Sequence, residues 1–390
     1  MQNLSQTKIM YAIGNFTMYG GVERVLIDKM NYFAEHGIQV VMVTYQQGNH
    51  PMTFNVNQQV KHIDTDTRFV TLYKYKGIRR LFERYKMTRL YKKKMQDIIN
   101  KEKPDYIITN TYLPFCYNVL PKIKTNAKLL IESHISSAVY QFESRDLTSK
   151  IKNYLLLKNQ KRKVKQFDAL IALTEGDAND WKKNARRVIV IPNLVTYYPL
   201  TISDKSISSK QIITVGRLHN QKGYDMLIDA FALAINYCSE WHIDIYGEGG
   251  DKEVLLKRIK EKNLEKKIII HEPTPYIYER YFDSSFYIMS SRYEGLPLVL
   301  IEAMSCGLPC VSFRCKHGPE DIISDGKDGL LVENGNINDL ANKIIWMCNH
   351  QKERLEMGKN ARLSSMRYHK DTIMPIWLKL FNNFENEVAD

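Results

Sequence analysis

The segment FYIMSSRYEGLPLVLIEAMSCGLPCVSF, residues 286–313, reads as strand, tight turn, helix and strand in succession. FYIMSS (286–291) and CVSF (310–313) are apolar runs of strand length, and LVLIEAM (298–304) between them is a helix entered through Gly295 and Pro297. A helix inserted between two buried strands is the crossover of a parallel sheet. Upstream, IITVGR (212–217), WHIDIYG (241–247) and IIIHE (268–272) repeat this grammar with helices such as GYDMLIDAFALAIN (223–236), and GLLV (329–332) closes it.

The first half is written the same way. IMYAIGNF (9–16), VVMVTY (40–45), YIITNT (106–111), LLIESH (129–134), ALIALT (169–174) and VIVIPN (188–193) read as buried strands, and VERVLIDKMNYFAEHG (22–37) as a helix stopped by Gly37. Between the halves, TYYPLTISDKSISSKQ (196–211) has Pro, several Ser and no helical period, the composition of a linker. The expected fold is α/β, with two doubly wound Rossmann-like domains, 1–195 and 196–372, facing each other across a cleft. The terminal helix, within 373–390, carries an apolar face suited to packing on the first domain. A chain of 390 residues agrees, since single cores stop growing at about 250 to 300 residues.

Composition narrows the function. No basic flank with an apolar stretch opens the chain, and no window of about 18 uncharged apolar residues occurs, so neither a secretory signal nor a membrane span is expected. Six cysteines without CxxC spacing imply reduced thiols in a cytoplasmic protein. The net charge of +13 is uneven: residues 1–195 hold 32 Lys and Arg against 16 Asp and Glu, whereas residues 196–390 hold 24 against 27. KYKGIRRLFERYKMTRLYKKK (74–94) and KNQKRKVK (158–165) concentrate it, with aromatic and leucine residues interleaved. That pattern suits an anionic membrane surface; a solvated basic helix face and a nucleic-acid surface are the competing readings, the last without any accompanying motif.

The opening segment also holds two carboxylates eight residues apart, Glu294 and Glu302. Glu294, with the amides of Gly295 and Leu296 at the start of a helix, and Glu302 two turns further on can meet the hydroxyls of one ligand lying along that helix. A first-turn carboxylate explains Glu294 without a ligand, but Glu302 stands mid-helix among apolar residues, where a charge is costly. In VGRLHNQKG (215–223), Gly216 and Gly223 leave backbone room while Arg217 and Lys222 make a cationic loop suited to a diphosphate. MYGGVERV (18–25) sets Gly20 and Gly21 at a strand-to-helix turn without GxGxxG spacing, which disfavours a dinucleotide. His134 ends a strand at its carboxyl rim, and DTD (64–66) reads as a turn, so no metal is assigned.

These motifs together resemble the family 4 glycosyltransferases, retaining enzymes of GT-B fold. The resemblance rests on E-x7-E at Glu294 and Glu302, VGRLHNQKG, YGEGG (246–250), IPN (191–193), YGGVER and His134, in order along nearly the whole chain. It implies an acceptor side in the first domain and a donor side in the second. Arg217 and Lys222 would neutralise the donor diphosphate without a metal or other cofactor, Glu302 would hold the ribose and Glu294 the donated sugar. Gly20 and Gly21 would line the phosphate and acceptor side, and His134 would contact the transferred sugar. Gly247 would lie beside the donor, and Tyr276 in HEPTPYIYE (271–279) beside its base. The stretch 312–332 resembles enzymes that use UDP-sugars in bacterial surface polysaccharide synthesis, lipopolysaccharide or capsule. The resemblance therefore implies a UDP-sugar donor, a glycan or polyprenyl-linked acceptor and a peripheral place on the inner membrane face, with no nucleic-acid partner. A sugar-nucleotide epimerase of the same fold, or a silent partner subunit, are the rival readings.

Overall fold

The computed structural model describes residues 6–17, 20–135, 146–201 and 208–389, the side chains of 385–389 excepted. Met18 and Tyr19 of the glycine loop and residues 202–207 of the expected linker lie outside them. By their contacts the residues divide into two compact units, Met1–Pro192 with Met374–Asp390, and Asn193–Ile373.

In the first unit the strands are β1 (Lys8–Ile13), β2 (Gln39–Thr44), β3 (Lys61–Asp64), β4 (Tyr106–Asn110), β5 (Lys128–Ser133), β6 (Ala169–Ala172) and β7 (Val188–Val190). They form one parallel sheet in the order β3-β2-β1-β4-β5-β6-β7. The runs in β1, β2, β4, β5 and β6 are buried almost throughout, as both faces of a covered parallel sheet require. The expectation omits β3: its sequence, KHID, has no apolar run, because it is an exposed to half-buried edge strand paired only with β2. The helix Lys370–Ala389 contributes Trp377, Phe381 and Phe384 to this core. Phe381 packs on Phe33 and Tyr106, and the Tyr106 hydroxyl donates to the Phe381 carbonyl at 2.8 Å.

The second unit holds β8 (Gln211–Val215), β9 (His242–Tyr246), β10 (Ile268–His271), β11 (Phe286–Met289), β12 (Cys310–Phe313) and β13 (Gly329–Val332), parallel in the order β10-β9-β8-β11-β12-β13. Its core is built by Ile212, Ile243, Ile245 and Val311 from the strands and by Leu227, Phe231 and Ile344 from helices. All six cysteines are buried free thiols.

Both sheets are therefore doubly wound. The strand order reverses between β1 and β4 in one unit and between β8 and β11 in the other. A crevice opens at such a reversal because the loops leaving the two central strands diverge to opposite faces. The chemistry-bearing loops of the second unit, 216–223 and 290–297, follow β8 and β11 and so leave from that point.

Candidate active site

In the second unit the backbone is drawn unusually close around the switch point. Gly247 follows β9, and a Cβ there would lie 2.0 Å from the Gly216 carbonyl oxygen, so position 247 accepts only glycine without movement. Gly216 N–H donates to the Tyr246 carbonyl and Gly247 N–H to that of His271, both at 3.0 Å. The loop after β8 ends at Gly223, whose φ is +63° and whose added Cβ would meet the Ser290 carbonyl oxygen at 2.0 Å. Two further bonds join these loops: Arg292 N–H to the Gln221 carbonyl at 2.8 Å, and Ser290 Oγ to the Lys222 carbonyl at 2.9 Å.

That backbone docking sets the side chains. Lys222 Nζ lies 2.7 Å from Glu294 Oε1, which also accepts from Ser291 Oγ at 2.7 Å. Glu294 is buried, so its charge is met by a cation rather than by water. Arg217 is exposed, with Nη2 3.4 Å from Gln221 Oε1, and Gln221 in turn donates to the Tyr293 carbonyl at 3.1 Å. Arg217 and Lys222 thus divide their work: one cation points to solvent while the other is held on a carboxylate.

Glu302 is on the helix Leu298–Ser305, half-buried, and accepts from the Tyr281 hydroxyl at 3.4 Å. Burial, and then the Glu302 charge, push the Tyr281 hydroxyl well above its usual pKa and keep it a donor. The helix begins at Leu298 behind a Pro297 cap, so Gly295 and buried Leu296 precede it rather than forming its first turn. This matches the sequence reading of a turn through Gly295, Leu296 and Pro297 that leads into a helix at residue 298. The Gly295 carbonyl is approached by Gly318, where a Cβ would come within 2.5 Å. Tyr276 is exposed and caps the helix Ile277–Asp283.

One member of the site was missed in the sequence. Arg292 grips Asp225 with both terminal nitrogens, at 2.9 and 2.6 Å, bracing one loop against the helix that follows the other. Burial opposes the Asp225 charge, but Arg292 prevails and holds the carboxyl below its usual pKa. An arginine adjoining the acidic motif was the signal.

In the first unit, Gly20 caps the helix Gly21–Glu35, and the Glu23 carboxylate folds back over it: a Cβ on Gly20 would lie 2.1 Å from Glu23 Oε2. An anion at this turn would share it with a carboxylate, which favours hydroxyl groups over phosphate. His134 follows β5, but its side chain does not stand on an open rim. It is buried, with Nε2 2.5 Å from Glu132 Oε2. In the DTD turn, Asp64 accepts from Thr44 Oγ1 and the Gly48 and Asp66 amides, and Asp66 pairs with Arg68. Both carboxylates thus serve the loop. Among the described residues no three His, Cys, Asp or Glu side chains gather as metal ligands.

Two family models match this chain in tandem. Glycosyltransferase Family 4 matches residues 19–196, and Glycosyl transferases group 1 matches residues 202–364. An uncharacterized glycosyltransferase of Haemophilus influenzae is 27% identical over 372 residues, 95% of this chain and 98% of that protein. The amylovoran biosynthesis glycosyltransferase AmsD of Erwinia amylovora is 25% identical over 387 residues, 96% of this chain and 99% of that protein. Among solved structures, a point mutant of S. aureus TarM in complex with Fondaparinux, alpha-GlcNAc-glycerol and UDP superposes with a TM-score of 0.78 at 19% identity, covering 97% of this chain and all of that one, a likeness of fold. With the tandem matches spanning both sheets and the acidic and cationic motifs joined at a switch point, the chain belongs to the family 4 glycosyltransferases of GT-B fold.

Proposed function

We propose that this glycosyltransferase moves a hexose or N-acetylhexosamine, with retention, from a UDP-sugar to a lipid-linked glycan in bacterial surface polysaccharide synthesis. The observation that carries the donor site is the Lys222–Glu294 pair at the switch point, with exposed Arg217 on the same loop. In this reading the donor diphosphate takes Lys222 and Arg217 as its counter-charges, so the negative charge that grows on the leaving UDP is met without a metal. Glu294 accepts from the hydroxyls of the sugar, Glu302 from the ribose, and His134 contacts the transferred sugar. The bond from the sugar carbon to the leaving phosphate oxygen breaks as the acceptor oxygen bonds on the same face, and that phosphate oxygen takes the acceptor proton. TarM's complex with UDP supports the choice of nucleotide by likeness of fold.

Thermal-shift screening in EDTA tests the donor. UDP and one UDP-sugar are expected to raise the melting temperature, while GDP- and ADP-sugars leave it unchanged; a larger shift with GDP would overturn the assignment. UDP release that requires an acceptor would separate the transferase from an epimerase or a silent subunit.

A specific surface supports a membrane acceptor. In the helix Gly77–Glu102, Tyr91, Met95 and Ile99 are buried, but Ile78, Leu81, Phe82 and Tyr85, spaced to share one face, are 86, 66, 65 and 61% exposed. Residues 77–94 carry eight Lys and Arg against a single Glu. No helix among the described residues is long and apolar enough to cross a membrane. An apolar stripe set in basic residues fits the surface of an anionic bilayer, each basic side chain near the headgroups adding about 1 kcal/mol. Vesicles containing phosphatidylglycerol are expected to float the parent chain, and not a variant with Arg79, Arg80, Lys92, Lys93 and Lys94 changed to Glu. Equal flotation of both would remove this role from the helix.

A further inference from the structure

The first unit buries a pair of opposite charges that the proposed chemistry leaves unused. Lys29 and Glu132 are 2% and 1% exposed, and Lys29 Nζ lies 2.6 Å from Glu132 Oε2. Lys29 stands on the buried face of the helix Gly21–Glu35 between Leu26 and Phe33, with its ammonium 4.7 Å from the centre of the Trp377 ring. The same Oε2 is 2.5 Å from His134 Nε2, so one carboxylate oxygen meets two donors. The other oxygen, Oε1, and the Tyr11 hydroxyl are buried and have no hydrogen-bond partner among the described residues.

A pair like this is a poor structural device. Removing two charges from water costs about what their attraction returns, and apolar residues of the same volume do as well or better. What apolar residues cannot do is hold an imidazole in one tautomer, and a carboxylate can. It can do so in a core only if it remains ionised. Burial works against both charges and lowers the Lys29 pKa, but the Lys29 charge and the His134 hydrogen bond hold the Glu132 carboxyl below its usual pKa.

We propose that Glu132 is a positioning residue that fixes the His134 imidazole as its Nε2–H tautomer in one orientation, and that Lys29 supplies the counter-charge that holds the Glu132 carboxylate in place against it. This rests on the reading of His134 as the residue that contacts the transferred sugar. The pair thus ties the helix that follows β1 to the histidine that follows β5, and both reach the reaction only through His134.

The test needs no known acceptor for its first readout. In nitrogen-15 spectra of the imidazoles, with His134 assigned through its loss in H134A, the parent chain is expected to show a single Nε2–H tautomer. In the near-isosteric pair K29M/E132L the ring is expected to become a mixture of tautomers, the protein melting no lower than the parent. Glu132→Asp, which keeps the charge for Lys29 but draws the oxygen back, serves as the second variant should the double change fold poorly. With the UDP-sugar that gives the largest thermal shift, kcat of UDP release is expected to fall on the order of 100-fold in either variant, as for a misplaced reacting group, with KM within about twofold. Parental spectra, or parental kcat, in a folded K29M/E132L or E132D protein would make the pair structural and overturn the proposal. H134A with parental kcat would overturn it from the other side, by showing that the histidine itself is dispensable to transfer.

Discussion

Replacing Glu294 by Gln is expected to separate nucleotide binding from sugar transfer: UDP binds the variant at least as tightly as the parent, while kcat falls on the order of 100-fold or more. Lys222 is already engaged, its ammonium 2.7 Å from Glu294 Oε1. A diphosphate must draw that cation away or share it with a buried carboxylate, and either costs binding energy. Gln lacks the charge, so Lys222 is released to the phosphates. Gln still accepts from Ser291 Oγ, which holds Glu294 Oε1 at 2.7 Å, so the loop keeps its shape. In the proposed reading, the variant also loses the charged acceptor for the hydroxyls of the donated sugar. Titrating UDP into E294Q calorimetrically, beside a measurement of kcat, checks the split. Parallel losses of affinity and turnover would show that Glu294 only holds the loop together.

The second large effect is structural. Gly223→Ala is expected to destabilise the second unit by roughly 2 to 4 kcal/mol, from a left-handed backbone that alanine resists and from overpacking. The reason is the Ser290 carbonyl oxygen, 2.0 Å from where the new methyl would sit, at a φ of +63°. That oxygen is backbone at the end of β11, so relief requires one switch-point loop to shift off the other. A matched control exists in Gly326, whose φ is +77° but whose added Cβ meets nothing within 4 Å. Gly326→Ala should cost only the backbone term, about 1 kcal/mol. Chemical denaturation of both checks the difference. G223A is also expected to lose UDP affinity, since Arg217, Gln221 and Lys222 move with the loop. Equal destabilisation by the two substitutions would show that the loops are not docked as described.

The parallel sheets were legible because strands covered on both faces must be apolar along their whole length, and runs such as CVSF and GLLV coincide with β12 and β13. The edge strand β3 escaped because one that pairs on a single side, with side chains toward solvent, needs no apolar run. In the site, the residue types were legible but their partnerships were not. Spacing placed Glu294 and Glu302 eight apart; nothing in it says that Lys222, 72 residues before Glu294, meets that carboxylate. Arg292 and Asp225 join a loop and a helix that are adjacent only once β8 and β11 lie side by side. The fragment ESH drew attention to His134, while Glu132 within it was passed over. A carboxylate inside LLIESH and a lysine among the buried residues of a helix were the available signals, because each alone would be an uncompensated charge in a core.

Calorimetric titration of UDP in EDTA, comparing the parent chain with Lys222→Ala, bears most directly on the donor site. A charge-assisted hydrogen bond to phosphate contributes about 1.5 to 3 kcal/mol, so K222A is expected to bind UDP roughly 10- to 100-fold more weakly while remaining folded. Equal affinity of the two proteins for UDP would contradict the account.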